Sequence, residues 1–381
     1  MENQCFHWTD NCMKYKKFLL GDLPQSSYPF FAFLVACSYN CFSPFIASVL
    51  GLPGLIEPLK VKSYTLRNRI VLPPMQTGRA SFEGAVTNRL INFYVKRSVH
   101  LGLPIVEHSY VSPTGKIGPK QLAIHDDSSI CGFEKLANAV HEVGALAVVQ
   151  ISHAGAVTNK RVISVKPAGP SPRDKSRMLE TSEIYAIADD FALAADRAVK
   201  AGFDGIELHG AHGYLLNQFY SPLFNRRDDE FGGSLEKRMN FPLMVAKKVR
   251  ERLGSKLLLY RLGSDDLAPH GTHIEDSVVF AKRLEATGVD IIDVSGGMCG
   301  SEPRQLRQVK GYFVPQASEI KKAVTIPVIG VGGITEAEFA DKLVKEGKVD
   351  LVAVGRQFWS DSKWAEKALE TLKINKSNSH S

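Results

Sequence analysis

The sequence predicts an α/β protein whose body, residues 55–373, is a (β/α)8 TIM barrel. Three observations carry that expectation. Short runs rich in Val, Ile and Leu recur eight times, amphipathic segments of helical length separate them, and glycines stand near the ends of six of those segments. The runs fall at 69–72, 104–108, 145–151, 205–209, 257–262, 290–294, 327–331 and 351–354. They barely alternate between apolar and polar, as expected of parallel strands covered on both faces. The helical patterns lie at 87–101, 133–143, 183–201, 235–253, 274–287, 316–324, 336–346 and 363–372. Gly102, Gly144, Gly202, Gly254, Gly288 and Gly347 sit where a left-handed C-terminal residue is needed. A doubly wound sheet is the alternative. It would place a glycine-rich fingerprint after the first strand, and that position reads Pro73-Pro74-Met75-Gln76.

Ahead of the barrel, residues 1–54 read as an extension of uncertain structure. The stretch 23–56 holds no charged residue, and 30–50 is mostly apolar and close to the length of a membrane helix. Asn40, Pro44 and several serines oppose a span, and an apolar core this late in the chain fits a signal peptide poorly. Membrane contact through 30–50, a loosely packed extension and a start assigned too far upstream all stay open. After the barrel, 374–381 reads as a tail.

Composition excludes several classes. With 44% apolar and 23% charged residues the chain is neither disordered nor collagen-like. Its 47 basic and 40 acidic residues leave a net charge of +7, without the clustered stripe that nucleic acid demands. Four of the six cysteines (Cys5, Cys12, Cys37, Cys41) precede the barrel; Cys131 and Cys299 lie far apart within it. No C-x2-C pair occurs, so no metal site is expected, and the sparse cysteines of the body suit a reduced, cytoplasmic protein.

Chemistry in such barrels belongs at the C-terminal ends of the strands. In order, these ends carry Pro73-Pro74-Met75-Gln76, then Glu107-His108-Ser109, then Gln150 through Gly155. The fourth carries His209-Gly210-Ala211-His212-Gly213-Tyr214 and the fifth Arg261. Ser295-Gly296-Gly297, Gly330 through Gly333, and Gly355-Arg356 complete the ring. Glycines at the last two ends let backbone N–H groups approach an anion, and Arg356 adds a bidentate partner, so a phosphate is expected there. His209 and His212 admit three readings: zinc ligands, buried structural histidines, or N–H donors gripping a carbonyl or phenolate oxygen. Zinc lacks a surrounding H-E-x-x-H or further ligands. In the third reading the donors polarise a conjugated double bond and Tyr214 supplies the proton.

The segment from His209 to Arg238, including Ser221-Pro222, Asn225, Arg227, Asp229 and Gly232-Gly233-Ser234, resembles the signature of the Old Yellow Enzyme family. The resemblance runs from Leu55 to about Leu372 and takes in 68–71, Gln150 with His153-Ala154-Gly155, and Gly355-Arg356. It implies tightly bound FMN, NAD(P)H as transient reductant and ping-pong reduction of an electron-poor alkene or quinone-like substrate. Pro73, Pro74, Met75, Gln76 and His108 would line the flavin. Gln150 would bond its pyrimidine edge, and Arg261 would stand near N1 and the C2 carbonyl. Gly332, Gly333, Gly355 and Arg356 would hold the FMN phosphate. His209 and His212 would bind the substrate oxygen, with Tyr214 as proton donor. Gln76 stands where members often carry Thr or Cys, and Phe231 replaces a frequent Tyr. With only 374–381 after the last helix, a single-domain type is expected, which leaves homo-oligomers through outer helices open. An FMN-dependent oxidase or demethylating dehydrogenase on the same barrel, and a non-flavin phosphate-binding lyase, are the alternatives.

Overall fold

The computed structural model describes residues 53–378, so all but the end of the expected extension lies outside the described residues. Strand β1 (Leu59–Val61) and β2 (Tyr64–Leu66) form an antiparallel hairpin ahead of the barrel. The barrel strands are β3 (Ile70–Leu72), β4 (Leu103–Tyr110), β5 (Val148–Ser152), β8 (Gly205–Gly210), β9 (Leu257–Gly263), β10 (Ile291–Ser295), β11 (Val328–Val331) and β12 (Leu351–Ala353). They close in that order, β12 against β3, and every neighbouring pair is parallel. A short parallel pair, β6 (Ala168–Gly169) and β7 (Arg177–Met178), stands outside it.

The (β/α)8 expectation therefore holds strand by strand. The principal helices are α1 (Asn88–Ser98), α2 (Ile130–Glu142), α4 (Thr181–Lys200), α6 (Leu235–Leu253), α7 (Ile274–Ala286), α8 (Val314–Ala323), α9 (Ala337–Lys345) and α11 (Trp364–Asn378). Smaller ones are α3 (Lys160–Ile163), α5 (Leu215–Tyr220) and α10 (Arg356–Ser360). Thr87 and Ser234 cap α1 and α6, their hydroxyls accepting from Leu90 N–H and Lys237 N–H. Among the described residues, no helix is long and apolar enough to cross a membrane.

The barrel interior is layered, and the layers follow from the period-two alternation of strand side chains. Val71, Ile105, Val148, Leu257, Leu259, Ile291, Ile329 and Leu351 pack inward as one apolar cluster. Val61 and Leu66 of the hairpin join that cluster, so the hairpin plugs the floor. The intervening residues, among them Val106, Val149, Ile206, Leu258, Ile292 and Val352, face outward into the helix-side core. Two positions on from the inward Val148, Leu259 and Ile291 come Gln150, Arg261 and Asp293, so the interior turns polar towards the mouth.

Some details depart from the sequence expectation. The hairpin is too short to leave a periodic signal. Helix α11 runs to Asn378, past the expected end at 372 and into the expected tail; Lys376 there pairs with Glu57 at 3.0 Å. Five of the six helix-end glycines have positive φ, but Gly102 does not. What excludes a side chain at 102 is space, because a Cβ would lie 2.0 Å from the Asn68 carbonyl oxygen.

Candidate active site

Three adjacent strands build a charged layer beneath the mouth. Glu207 on β8, Arg261 on β9 and Asp293 on β10 are all buried, and both carboxyls have no exposed surface. Gln150 on β5, in register with Glu207, donates its amide N–H to Glu207 Oε1 at 2.7 Å. Arg261 is in register with Asp293, and its Nε lies 3.4 Å from Asp293 Oδ2. Burial raises both carboxyl pKa values; the Asp293 charge pushes Glu207 further up, while Arg261 opposes the rise in each.

Directly above stand the histidines. His209 is in register with Arg261 near the end of β8, and its ring centroid lies 5.1 Å from that of His212. The chain reverses sharply there because His212 (φ 58°) and Gly213 (φ 75°) both adopt left-handed backbone. That turn sets Tyr214 at the start of α5 with its ring 4.4 Å from His209 and 5.4 Å from His108. His212 Nε2 meets Ser295 Oγ at 2.8 Å, which orients its ring, while His209 Nδ1 is buried with no hydrogen-bond partner among the described residues. Burial first, then neighbouring positive charge, depresses both histidines well below their ordinary value, so both are neutral imidazoles near neutral pH. Burial lifts the Tyr214 phenol to about 12, keeping its proton in place.

His108 is fixed by a residue that the sequence did not flag. Gln121 Oε1 accepts from Ile117 N–H at 2.8 Å, so its amide nitrogen is the donor to His108 Nδ1, also at 2.8 Å. The His108 proton is therefore on Nε2, and burial holds its pKa down at about 4. Beside it, Glu107 accepts from Thr77 N–H at 3.0 Å and ties the loop after β3 to β4. In that loop Pro73 and Pro74 are buried, Met75 is half-buried and Gln76 is exposed. Gly355 comes close: a Cβ there would lie 3.3 Å from Met75 Sδ and 3.6 Å from Pro73 Cγ.

The ends of β11 and β12 bring together the remaining expected residues, with additions from the loop after β10. Gly332 and Gly333 have positive φ, 114° and 62°; a Cβ at Gly332 would lie 2.6 Å from the Tyr312 ring, and one at Gly333 would lie 2.8 Å from the Val309 carbonyl oxygen. Arg356 is exposed and pairs with Glu302 at 2.5 Å. Tyr312 and Glu302 carried no signal in the sequence, since a long coil delivers both. Ser295 was visible as a strand end, and Glu207 and Asp293 were visible only as acids inside apolar runs.

The stretch after α5 is a brace. Asn225 donates to the carbonyls of Phe219 and Phe231, Arg227 to those of Pro170 and Leu179, and Arg238 to those of Tyr220 and Gly233. Phe231 is buried against Phe219 and Tyr185. These contacts fix the C-terminal end of α5; at its start Gly213 N–H donates to Asn217 Oδ1 at 2.9 Å and Gln218 donates to the Gly213 carbonyl at 2.7 Å, which holds the turn that presents His212 and Tyr214.

A parallel eight-stranded barrel with neutral histidines and a phenol over a charged interior layer defines an α/β-barrel enzyme site that can bind an oxygen atom and supply a proton. Residues 54–375 match the NADH:flavin oxidoreductase / NADH oxidase family. An NADH oxidase of Thermoanaerobacter brockii is 44% identical over 331 residues, which is 84% of this chain and 51% of that protein. The chain thus spans about half the length of that relative. An NADPH dehydrogenase of Geobacillus sp. (strain WCH70) is 36% identical over 323 residues, covering 84% of this chain and 94% of the relative. Among solved structures, an old yellow enzyme homologue from Zymomonas mobilis superposes with a TM-score of 0.74 at 27% identity, covering 84% and 93% of the two chains. The chain belongs to the NADH:flavin oxidoreductase / NADH oxidase family, whose flavin is FMN and whose reductant is NAD(P)H.

The residues present fit FMN. Gln150 uses its N–H on Glu207, which leaves Oε1 as an acceptor for a pyrimidine N–H. Arg261 Nε is buried without a hydrogen-bond partner among the described residues, a donor with unused capacity that would be available to the same ring. At the other end, a phosphate would replace the Glu302 carboxylate on Arg356.

Proposed function

We propose that this barrel uses FMN and NAD(P)H to reduce activated C=C bonds of enones or similar electron-poor alkenes, one substrate following the other at the same mouth. FMN, when bound, supplies the two-electron chemistry between nicotinamide and alkene. Pro73, Pro74, Met75, Gln76 and His108 line it, Gln150 and Arg261 meet its pyrimidine edge, and Gly332, Gly333, Gly355 and Arg356 receive its phosphate. His209 and His212 donate N–H groups to the substrate oxygen and draw electron density from the double bond. Being neutral, they polarise the carbonyl without giving up a proton to it. Tyr214 then protonates the alkene carbon from the face opposite the flavin.

The observation that carries this reading is the cluster of His209, His212 and Tyr214, with the phenol ring 4.4 Å from His209 and His209 in register with Arg261 on the neighbouring strand. NADH and NADPH both suit the reductant, in keeping with the names of the relatives. The test is an anaerobic visible spectrum of the holoprotein, first with NADPH and then with cyclohexenone. Bleaching by NADPH followed by recovery with the enone is expected. Bleaching without recovery would remove alkenes as substrates, and bleaching by an amine donor without NADPH would favour an oxidase.

A further inference from the structure

The assigned roles leave two buried acids unused. Glu207 and Asp293 flank Arg261 on neighbouring strands, and Glu207 Oε2 and both Asp293 oxygens are buried without a hydrogen-bond donor among the described residues. Two carboxylates beside one guanidinium would leave a buried net negative charge. One shared proton removes it, so the resting layer is one protonated carboxyl, one carboxylate and one arginine, neutral overall. Desolvation, which raises both acids, favours that state.

A hydride from NAD(P)H carries two electrons and one proton, so FMN gains one negative charge as the nicotinamide becomes its cation. That charge falls at the pyrimidine edge, against an arginine already neutralised by Asp293. We propose that the Glu207–Asp293 pair takes up a second proton from water when FMN is reduced, so that each two-electron reduction carries two protons. One carboxylate O–H bond forms, Arg261 is freed to face the reduced flavin, and the proton returns to water on reoxidation. The pair acts through Arg261 and is a positioning device for charge. The inference rests on FMN lying against Gln150 and Arg261, as proposed above.

The surroundings of the pair are few. Arg261 is the charged group facing it from β9, Gln150 faces it from β5 and is neutral, and the apolar floor lies below. His108, His209 and His212 lie within electrostatic reach of Arg261 and are held neutral.

The test is the midpoint potential of the FMN-loaded protein against pH, measured by spectroelectrochemistry. Two protons per two electrons make the equilibrium shift a hundredfold per pH unit, about 59 mV; one proton gives tenfold, about 30 mV. Wild type is expected to follow the steeper slope around neutrality, and the double change Glu207→Gln/Asp293→Asn, which leaves no acid to take the proton, the shallower one. Glu207→Gln alone removes a hydrogen-bond partner that holds the Asp293 pKa down and leaves one acid beside Arg261, so the steep slope is expected to persist and to extend to higher pH. That variant also serves if the double change fails to fold. A shallow slope in wild type or in Glu207→Gln, or a steep one retained in the double variant, overturns the proposal while leaving the flavin assignment intact. A protein that takes up no FMN overturns both.

Discussion

Replacing Tyr214 with phenylalanine removes one hydroxyl and leaves the ring packing against His209 and His108 in place. A positioned general acid contributes about 10²- to 10⁴-fold, so alkene reduction should slow by about that factor. Reduction of the flavin by NADPH needs no proton from Tyr214 and should change less than about threefold, within the range of a packing adjustment. Stopped-flow absorbance resolves the two half-reactions. The phenol pKa gives a second readout. An ordinary tyrosine is half ionised near pH 10, whereas one raised to about 12 is about 1% ionised there. The alkene step in wild type should therefore stay flat through about pH 10, and in Tyr214→Phe it should be flat but slow. Equal slowing of both halves would refute the proton-donor assignment. So would a wild-type rate that falls with an apparent pKa near the ordinary tyrosine value.

Glu107 offers a test of stability against pH. Burial lifts its folded pKa from 4.5 to about 7, so its folded state binds a proton more tightly than its unfolded state does. Its contribution is complete below pH 4.5 and is lost as pH rises through about 7, a difference of about 3 kcal/mol. Glu107→Gln should flatten that slope in urea melts from about pH 5 to 8, and an unchanged slope would place the titration elsewhere. Gly102→Ala forces a Cβ to within 2.0 Å of backbone oxygen and should destabilise by about 3 kcal/mol or more, read from the same melts. A change below about 1 kcal/mol would show that the 68–70 backbone yields easily. The double change His209→Ala/His212→Ala should weaken phenol binding by about 10²-fold, two hydrogen-bond donors' worth, with FMN still bound. Loss of the flavin spectrum instead would assign the histidines to the cofactor.

The barrel was legible because its strands are buried on both faces and so leave mostly apolar runs, as at 257–260. The mouth was legible because those runs stop at polar or glycine-rich sequences, which placed His209, His212, Tyr214, Gln150 and Arg261 in advance. What escaped depends on tertiary approach. Gln121 lies in coil, and only folding brings its amide to 2.8 Å from His108. Glu302 and Tyr312 reach the ends of β12 and β11 from the loop after β10, and no local pattern announces it. Three-residue strands such as Leu59–Val61 are too short to show a period. Gly102 was read as a left-handed helix end when its real constraint is the Asn68 backbone, because a missing Cβ looks the same in sequence whichever reason requires it.

The layered interior also bears on how such a barrel can be altered. Its hairpin-plugged lower half is ordinary hydrocarbon packing, in which volume-conserving exchanges are cheap. One residue layer higher, two acids and a guanidinium sit in nearly the same seclusion, where apolar replacements of equal volume often stabilise by about 1–4 kcal/mol. A search for heat resistance alone would therefore drift towards leucine and methionine at positions 207, 261 and 293. The product would be a tougher barrel with no charge left inside it, so a stability screen on this scaffold should hold those three positions fixed.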